Sequence, residues 1–337
     1  MIKHTVDASV DPSTAATYAA QIADLLASPE AARALVPAAG WWPQSLAYGA
    51  VGVALLHIER ARMGEGSWQR VHDWLACATV QPITAGDGSH LYYGAPALAF
   101  ALHASADRSG RYARALDTLD KHITVGTRSR LALAHARMDR GELPALAEFD
   151  TMRGLTGLGA LLLRRLSSGD EAHLALVRAV LSYLVRLSEP VRYRGALLPG
   201  WWSEQAPSGR RSPRFPGGHA NTGMAHGIAG PLALLASATR RGITVSGQSE
   251  AIARICGWLD QWGCEGSNGP WWPYWITHEH LKSERPMPVA GRPSWCYGVA
   301  GVARAQQLAA LATEDTTRQR RAEKALRSAM SAARPLV

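Results

Sequence analysis

The sequence predicts an all-α fold in which helical hairpins form two concentric layers around a cavity, an α/α toroid of the six-hairpin type. One observation behind this prediction is a short glycine phrase that occurs five times and leads each time into an Ala- and Leu-rich stretch. Another is the alternation of these stretches with amphipathic ones, in the order helix, loop, helix. Strand signals are weak and confined to residues 191–202 and 270–278.

One glycine marks each of the five phrases. Because glycine has no Cβ, the backbone can turn sharply there and neighbouring segments can crowd at one rim. The helices that follow are apolar on more than one side, which predicts that they form the inner layer. The marking glycines are Gly49, Gly94, Gly154, Gly227 and Gly298.

Three stretches between the phrases have the apolar spacing of amphipathic helices and are predicted for the outer layer: residues 67–80, 170–187 and 248–262. The formal net charge of +9 comes from arginines scattered on the helices, which predicts solvated helix faces. No basic run interleaves with aromatic residues, so the pattern does not indicate a nucleic-acid binder. A basic surface would attract an acidic peptide.

The bulk composition indicates one large domain over residues 1–337, because 47% of the residues are hydrophobic. No apolar run is long enough for a membrane span, and the first residues lack the apolar core of a signal peptide. Four cysteines form no CxxC pair, which favours reduced thiols and a cytoplasmic protein.

Two of the glycine phrases carry a reactive side chain at nearly the same register. His226 immediately precedes Gly227, and Cys296 lies two residues before Gly298. A histidine there can simply cap or pack, and a lone cysteine is often a small buried hydrophobe. In a toroid, however, both side chains would face one cavity, and a thiolate is favoured near a helix N-terminus.

The connectors before these two phrases each contain a tryptophan pair, Trp201-Trp202 and Trp271-Trp272. Long structured loops at one end of a helical scaffold are common places for binding sites. The pairs are therefore predicted either to pack the loops against the helix ends or to contact a substrate, and the sequence leaves both open.

Two segments of the sequence resemble the signature of the lanthionine synthetase C-like proteins, the lanthipeptide cyclases. They are residues 223–230, with His226 and Gly227, and residues 292–298, with Arg292, Cys296 and Tyr297. The resemblance extends through all five repeats. It implies an α/α toroid and a zinc enzyme of antibiotic-peptide biosynthesis. The implied reaction is addition of a cysteine thiolate to a dehydroalanine or dehydrobutyrine of the same peptide, which closes a thioether ring.

The resemblance also implies roles for individual residues. Cys296 corresponds to the first zinc ligand and His226 to the acid/base histidine. Arg292 corresponds to an arginine beside the metal, where a guanidinium suits an enolate oxygen. Asp150 corresponds to an acidic residue that orients the histidine, with a helix N-cap as the alternative. Tyr297 follows the metal cysteine, as in the family.

The family's other two zinc ligands are an adjacent Cys-His pair that heads a sixth repeat. No cysteine follows Cys296 and no histidine follows His280. The stretch from Gly298 to Val337 is shorter than the shortest interval between repeats, so we expect the last inner hairpin to be missing from this chain. His278, His280 and Cys264 are weak substitutes. We therefore expect weak or absent Zn²⁺ binding and no activity of this chain alone, which leaves its status as an enzyme open.

The expected partners are a dehydrated precursor peptide and a dehydratase, with no nucleic acid. A different class of function is a non-catalytic peptide-binding or scaffold subunit of a peptide-modifying complex. An unrelated α/α-barrel glycosidase ranks last, because that chemistry needs paired carboxylates and only Asp150 lies beside a repeat glycine.

Overall fold

The computed structural model describes residues 12–35, 37, 40–106, 110–167, 169–267, 269–283 and 291–332. The chain divides into two compact units, Met1–Asp120 and Lys121–Val337. The first residues of the chain, which lack a signal-peptide core, lie outside the described part. The single domain expected over residues 1–337 stays a prediction.

The described part of the first unit consists of helices and the loops between them. Its core is formed where the third helix packs on the fourth and fifth, with Val51, Ile58 and Trp74 fully buried. The indole Nε1 of Trp74 donates to the Leu26 carbonyl at 3.0 Å. The helices are α1 (Pro12–Leu25), α2 (Pro29–Leu35), α3 (Ala50–Arg62), α4 (Trp68–Ala78) and α5 (Ala95–Ser105), and α6 (Ala113–Asp139) continues into the second unit.

The second unit combines helices with three short antiparallel strand pairs. The helices are α7 (Leu146–Phe149), α8 (Leu155–Arg165), α9 (Glu171–Leu187), α10 (Ala229–Thr239), α11 (Gln248–Gln261), α12 (His278–Leu281), α13 (Val299–Thr313) and α14 (Thr316–Ala332). The strand pairs are β1 (Val191–Tyr193) with β2 (Ala196–Leu198), β3 (His219–Asn221) with β6 (Trp275–Thr277), and β4 (Cys264–Gly266) with β5 (Gly269–Trp271).

Each repeat glycine stands just before a helix, as predicted. A Cβ on any of the five would lie within 2.4 Å of a backbone atom, so the crowding expected at these turns is present. Gly94 also has a φ of +76°, a backbone conformation that other residues rarely adopt. The helices that follow are mainly apolar and buried: α3, α5, α8, α10 and α13.

The three amphipathic stretches predicted for the outer layer are the helices α4, α9 and α11. Side-chain caps define two of their starts: the Ser67 hydroxyl accepts from the Gln69 N–H, and Asp170 accepts from the His173 N–H. The predicted ends differ from the observed ones by no more than two residues.

Both segments predicted to be extended contain strands, but they differ in their pairing. Residues 191–198 form a local hairpin, β1 with β2. In contrast, β6 pairs with β3, which lies in the connector before α10. Their register sets Asn221 opposite Trp275 and His219 opposite Thr277. The β3–β6 pair therefore holds together the two connectors that lead to the His226 and Cys296 phrases.

Three of the four tryptophans in the two pairs pack in the protein interior. Trp201, Trp202 and Trp272 are almost completely buried, and the indole groups of the last two donate to backbone carbonyls of Gly217 and Leu259. This favours the packing interpretation for Trp201 and Trp202, whereas Trp271 and Trp272 also line a cavity.

The expectation of solvated arginine faces fails at Arg318. Its guanidinium binds both carboxylate oxygens of Asp260, with contacts of 2.9 and 2.6 Å, and thereby ties α14 to α11. Arg114 and Arg320 are exposed, as expected. Within the described residues, no helix is sufficiently long and apolar to cross a lipid bilayer.

A buried histidine makes the stability of this fold sensitive to acid. His219 is fully buried, its Nε2 lies 3.1 Å from the Gln205 carbonyl, and burial lowers its pKa to about 4. Below about pH 6.5 the unfolded chain binds a proton that the folded chain does not. We expect the free energy of unfolding to be undiminished above pH 6.5 and to fall by about 2 to 3 kcal/mol as the pH drops to 4.

Urea unfolding between pH 7.5 and 4.5 measures this loss. In His219→Gln the amide can still donate to the Gln205 carbonyl but cannot take up a proton, so its pH slope should be smaller than that of the wild type. The same change at the exposed His122 should leave the slope unaltered. Equal slopes for the wild type and His219→Gln would contradict the assignment.

Candidate active site

A buried carboxylate and a partly exposed imidazole form the centre of the site. Asp150 Oδ2 lies 2.6 Å from His226 Nδ1, although the two residues are far apart in sequence. The Asp150 side chain is 1% exposed and the His226 side chain 23%. A carboxylate accepts hydrogen bonds, so Nδ1 carries a proton and donates it to Asp150. Nε2 is then the basic nitrogen.

The other oxygen of Asp150 is held by the backbone. Oδ1 accepts from the N–H groups of Arg153 and Gly154, at 2.6 and 2.9 Å, in the turn that leads into α8. These two donors fix the orientation of the carboxylate. The N-cap of α8 is Gly154, without a side-chain cap, so Asp150 does not have the alternative role of a helix N-cap; it braces the turn before α8 with one oxygen and contacts His226 with the other.

The Tyr297 ring lies beside the imidazole. The ring centroids of Tyr297 and His226 are 5.9 Å apart, and those of Tyr274 and Trp275 lie 5.8 and 5.7 Å from Tyr297. Burial first, and then the charges of Cys296 and Asp150, raise the pKa of Tyr297 to about 12. The phenol therefore stays protonated, and able to donate, through neutral and mildly alkaline pH.

Cys296 lies in the turn that precedes α13. Its Sγ is half-buried and 3.5 Å from the Ser294 hydroxyl, which also accepts from the Gly298 N–H. The Cys296 carbonyl accepts from the N–H of Ala225, the residue before His226, at 3.1 Å. The backbones that carry the thiol and the imidazole are thus hydrogen-bonded to each other.

Arg292 lies at the edge of this group and is exposed. Its carbonyl accepts from the Tyr274 hydroxyl at 3.2 Å and from the Ser294 N–H at 2.8 Å. Its guanidinium is near enough to Tyr274 to oppose the rise in the pKa of that phenol, which is caused mainly by burial. The predicted residues Asp150, His226, Arg292, Cys296 and Tyr297 therefore belong to one region of the second unit.

The donors around Cys296 do not fit a zinc site by themselves. Among the residues that the structure describes, no group of three or more His, Cys, Asp and Glu side chains could hold a metal ion. The proposed substitutes are engaged elsewhere: His280 Nδ1 accepts from the Thr277 N–H in a capping box, and His278 packs on Trp202. Residues 278–281 form a helical turn, which agrees with the low rank of the two histidines as substitute ligands.

Sequence reasoning missed three neighbours of the site. Tyr274 and Trp275 flank Tyr297, and the fully buried Asn221 contacts its phenol and accepts from the Gly223 N–H at 2.9 Å. The aromatic-rich connector after Trp272 is the signal that could have indicated the first two. Asn221 has no such signal, because it reaches the site through the β3–β6 pairing.

Comparison with known proteins agrees with this arrangement. The family model of the lanthionine synthetase C-like proteins matches residues 40–336. The nisin biosynthesis protein NisC of Lactococcus lactis subsp. lactis is 26% identical over 242 residues, which cover 71% of this chain and 56% of that protein. The chain therefore spans little more than half the length of this relative.

Among solved structures, a nisin cyclase resembles the chain with a TM-score of 0.68 and 21% identity. The similarity covers 96% of this chain and 76% of that one. At this level of identity the likeness shows the fold, and the predicted all-α, α/α toroid class is confirmed.

Proposed function

Because the chain belongs to the lanthionine synthetase C-like family, we propose that it acts in thioether ring formation on a dehydrated precursor peptide. The observation that carries this proposal is the His226–Asp150 pair, with the Cys296 turn hydrogen-bonded beside it. An imidazole with one nitrogen fixed by a buried carboxylate is suited to move a proton at the other nitrogen.

The proposed reaction needs a proton to move from sulfur to carbon. His226 Nε2 accepts the proton of the peptide thiol, and the sulfur attacks the β-carbon of the dehydroalanine or dehydrobutyrine. The C–S bond forms as the C=C electron pair moves toward the adjacent carbonyl, which gives an enolate. The Nε2–H then protonates the α-carbon, and His226 returns to its neutral form.

The other site residues stabilise charge during this transfer. The Asp150 carboxylate is held in place by two backbone N–H groups and balances the charge of the imidazolium. The Tyr297 phenol and the Arg292 guanidinium are the proposed donors to the enolate oxygen, because one stays protonated and the other is always charged. Cys296 is kept as the proposed metal donor, but no step is assigned to a metal.

The test is deletion of the gene in the source organism, followed by complementation. We expect the deletion strain to accumulate a dehydrated peptide with free cysteines, which react with N-ethylmaleimide and are counted by mass spectrometry. The wild-type gene should restore peptides without free thiols. A deletion strain that still makes its full set of rings would contradict the proposal.

A non-catalytic scaffold is the second candidate, and it is favoured because the described residues contain no group of donors that could hold a metal ion with Cys296. Complementation with Cys296→Ala separates the two functions. A scaffold would restore the rings with this variant, whereas a catalytic site should not. Cys77→Ala, at a free thiol of the first unit, is the matched control and should complement fully.

We expect the purified chain to bind zinc weakly and to close no rings alone, because the described residues lack a donor set for the metal. Elemental analysis after dialysis should find much less than one zinc per chain. Added zinc should leave ring closure on a dehydrated peptide as slow as without protein. Stoichiometric zinc, or robust cyclisation, would contradict this expectation.

The proposal places the protein in the cytoplasm, with the dehydrated precursor peptide as its partner and the dehydratase as a second one. All four cysteines are free thiols in the structure, which suits a reducing compartment. The excess of positive charge would favour an acidic segment of the peptide.

A further inference from the structure

A cavity of about 240 Å³ lies in the second unit, next to the candidate site. Aromatic side chains from two connectors form most of its wall. Phe215 and Trp271 are buried, and Arg214 stands at the exposed rim with its guanidinium 4.6 Å from the Trp275 ring and 5.6 Å from the Phe215 ring. Its lining includes Arg214, Phe215, Trp271, Tyr274, Trp275 and His280.

Two aromatic residues belong both to this wall and to the surroundings of the catalytic candidates. Tyr274 and Trp275 line the cavity, and their rings lie 5.8 and 5.7 Å from that of Tyr297. Tyr297 in turn lies 5.9 Å from the His226 ring. Two successive layers of aromatic rings, first Tyr274 and Trp275 and then Tyr297, therefore lie between a group in the cavity and the imidazole of His226.

The size and chemistry of the cavity restrict what it can bind. It is smaller than the roughly 300 to 1,000 Å³ of typical sites for cofactors and drug-sized ligands, so it suits one side chain. Its described lining includes no Asp or Glu, which disfavours a lysine or arginine side chain. Aromatic walls gain most from burying an apolar group.

We propose that this cavity is a subsite for one aromatic or large aliphatic side chain of the peptide substrate, close in sequence to a reacting residue. The inference rests on the proposed function, because it identifies the occupant as part of the same peptide. The Arg214 guanidinium covers the rim and adds a cationic edge to an apolar site.

Binding of unreactive peptides tests the subsite without any ring chemistry. The probes are acetylated seven-residue peptides of glycine and serine, with phenylalanine, leucine or alanine at the centre. Isothermal titration calorimetry should show the phenylalanine and leucine peptides binding about tenfold more tightly than the alanine peptide. Equal affinities for the three peptides would overturn the proposal.

Two variants test whether the preference for phenylalanine and leucine peptides arises in this cavity. Trp271→Ala removes a wall of the cavity and should reduce the preference to less than about twofold. Its control is Trp258→Ala, at a half-buried tryptophan outside the cavity. Near-ultraviolet circular dichroism establishes whether each variant is folded. A folded Trp271→Ala protein that keeps the preference, or a Trp258→Ala protein that loses it equally, would overturn the proposal.

Arg214→Ala tests the rim without touching the buried wall, and it covers the case in which Trp271→Ala does not fold. It should weaken binding of the phenylalanine peptide about threefold. Arg210→Ala, at another exposed arginine of the same loop, should leave the affinity unchanged. Equal effects of the two arginine substitutions would contradict a contribution of the rim.

The binding result and the complementation result are independent. A preference for apolar side chains, together with a deletion strain that still closes its rings, would support the subsite and overturn the proposed function. Restored ring formation without any preference would leave the proposed function standing and overturn the subsite.

Discussion

Replacing His226 by asparagine should lower thioether ring formation by a factor of about 10² to 10⁴ in the complemented deletion strain. Asparagine can still donate to the Asp150 carboxylate, but its amide cannot carry a proton from sulfur to carbon. Peptides with N-ethylmaleimide-reactive cysteines should therefore accumulate as in the deletion strain. The same substitution at His122, on the exposed face of α6, should restore ring formation completely.

Substitution of Asp150, the hydrogen-bond partner of His226, should also lower ring formation. Asp150→Asn places an amide where the carboxylate accepts from Nδ1, and an N–H donor there favours the imidazole form with its proton on Nε2. That form cannot accept the thiol proton. We expect a loss of about 10²-fold or more, and a double variant no worse than His226→Asn alone, because the two residues act as a unit.

A structural role alone would not produce this pattern. ¹⁵N NMR of labelled histidine distinguishes the two imidazole tautomers directly, and the wild type should show the proton of neutral His226 on Nδ1. Asp150→Asn should shift it to Nε2. Full ring formation with His226→Asn would remove the proposed acid–base role, whatever the tautomer.

Much of the fold could be predicted because its signals are local. The glycine before each inner helix and the apolar spacing of α4, α9 and α11 depend on residues within one or two turns of each other. These elements were therefore predictable within about two residues of their observed ends. At residues 191–202 the sequence predicted only extended backbone, of which residues 191–198 form the hairpin of β1 and β2.

The site was predictable only in part. The spacing of the glycine phrases indicated that His226 and Cys296 share a register, but the partner of His226 came from the family resemblance, because Asp150 lies in another repeat. Asn221 and the aromatic neighbours of Tyr297 depend on the pairing of β3 with β6. That pairing joins connectors more than 50 residues apart, and no short-range pattern indicates it.

Replacing Gly227 by alanine should destabilise the protein by about 3 kcal/mol or more. A Cβ at this position would lie 2.4 Å from the Gly223 nitrogen and 2.5 Å from both the carbonyl and the side-chain oxygen of Asn221. The same turn is closed by hydrogen bonds from Gly227 to Gly223 and from Ile228 to Asn221, at 3.0 and 2.9 Å. Relief of the clash would therefore break the turn that positions His226.

Urea unfolding measures this effect, and Gly257→Ala provides the matched control. Gly257 lies on the exposed face of α11 with no atom within 4 Å of an added Cβ, so alanine there should stabilise the protein by about 0.5 to 1 kcal/mol. The same added methyl group should thus lower the free energy of unfolding at Gly227 and raise it at Gly257. If Gly257→Ala folds and Gly227→Ala yields no folded protein, that result would also agree with the prediction.

The change in the free energy of unfolding caused by Gly227→Ala also tests the catalytic proposal. If Gly227→Ala unfolds at the same urea concentration as the wild type, the turn over residues 221–227 can yield by several tenths of an ångström. His226 would then lack a rigid support opposite Asp150. A large loss at Gly227 together with a gain at Gly257 would mean that close backbone packing, and not helix propensity, selects glycine beside the histidine.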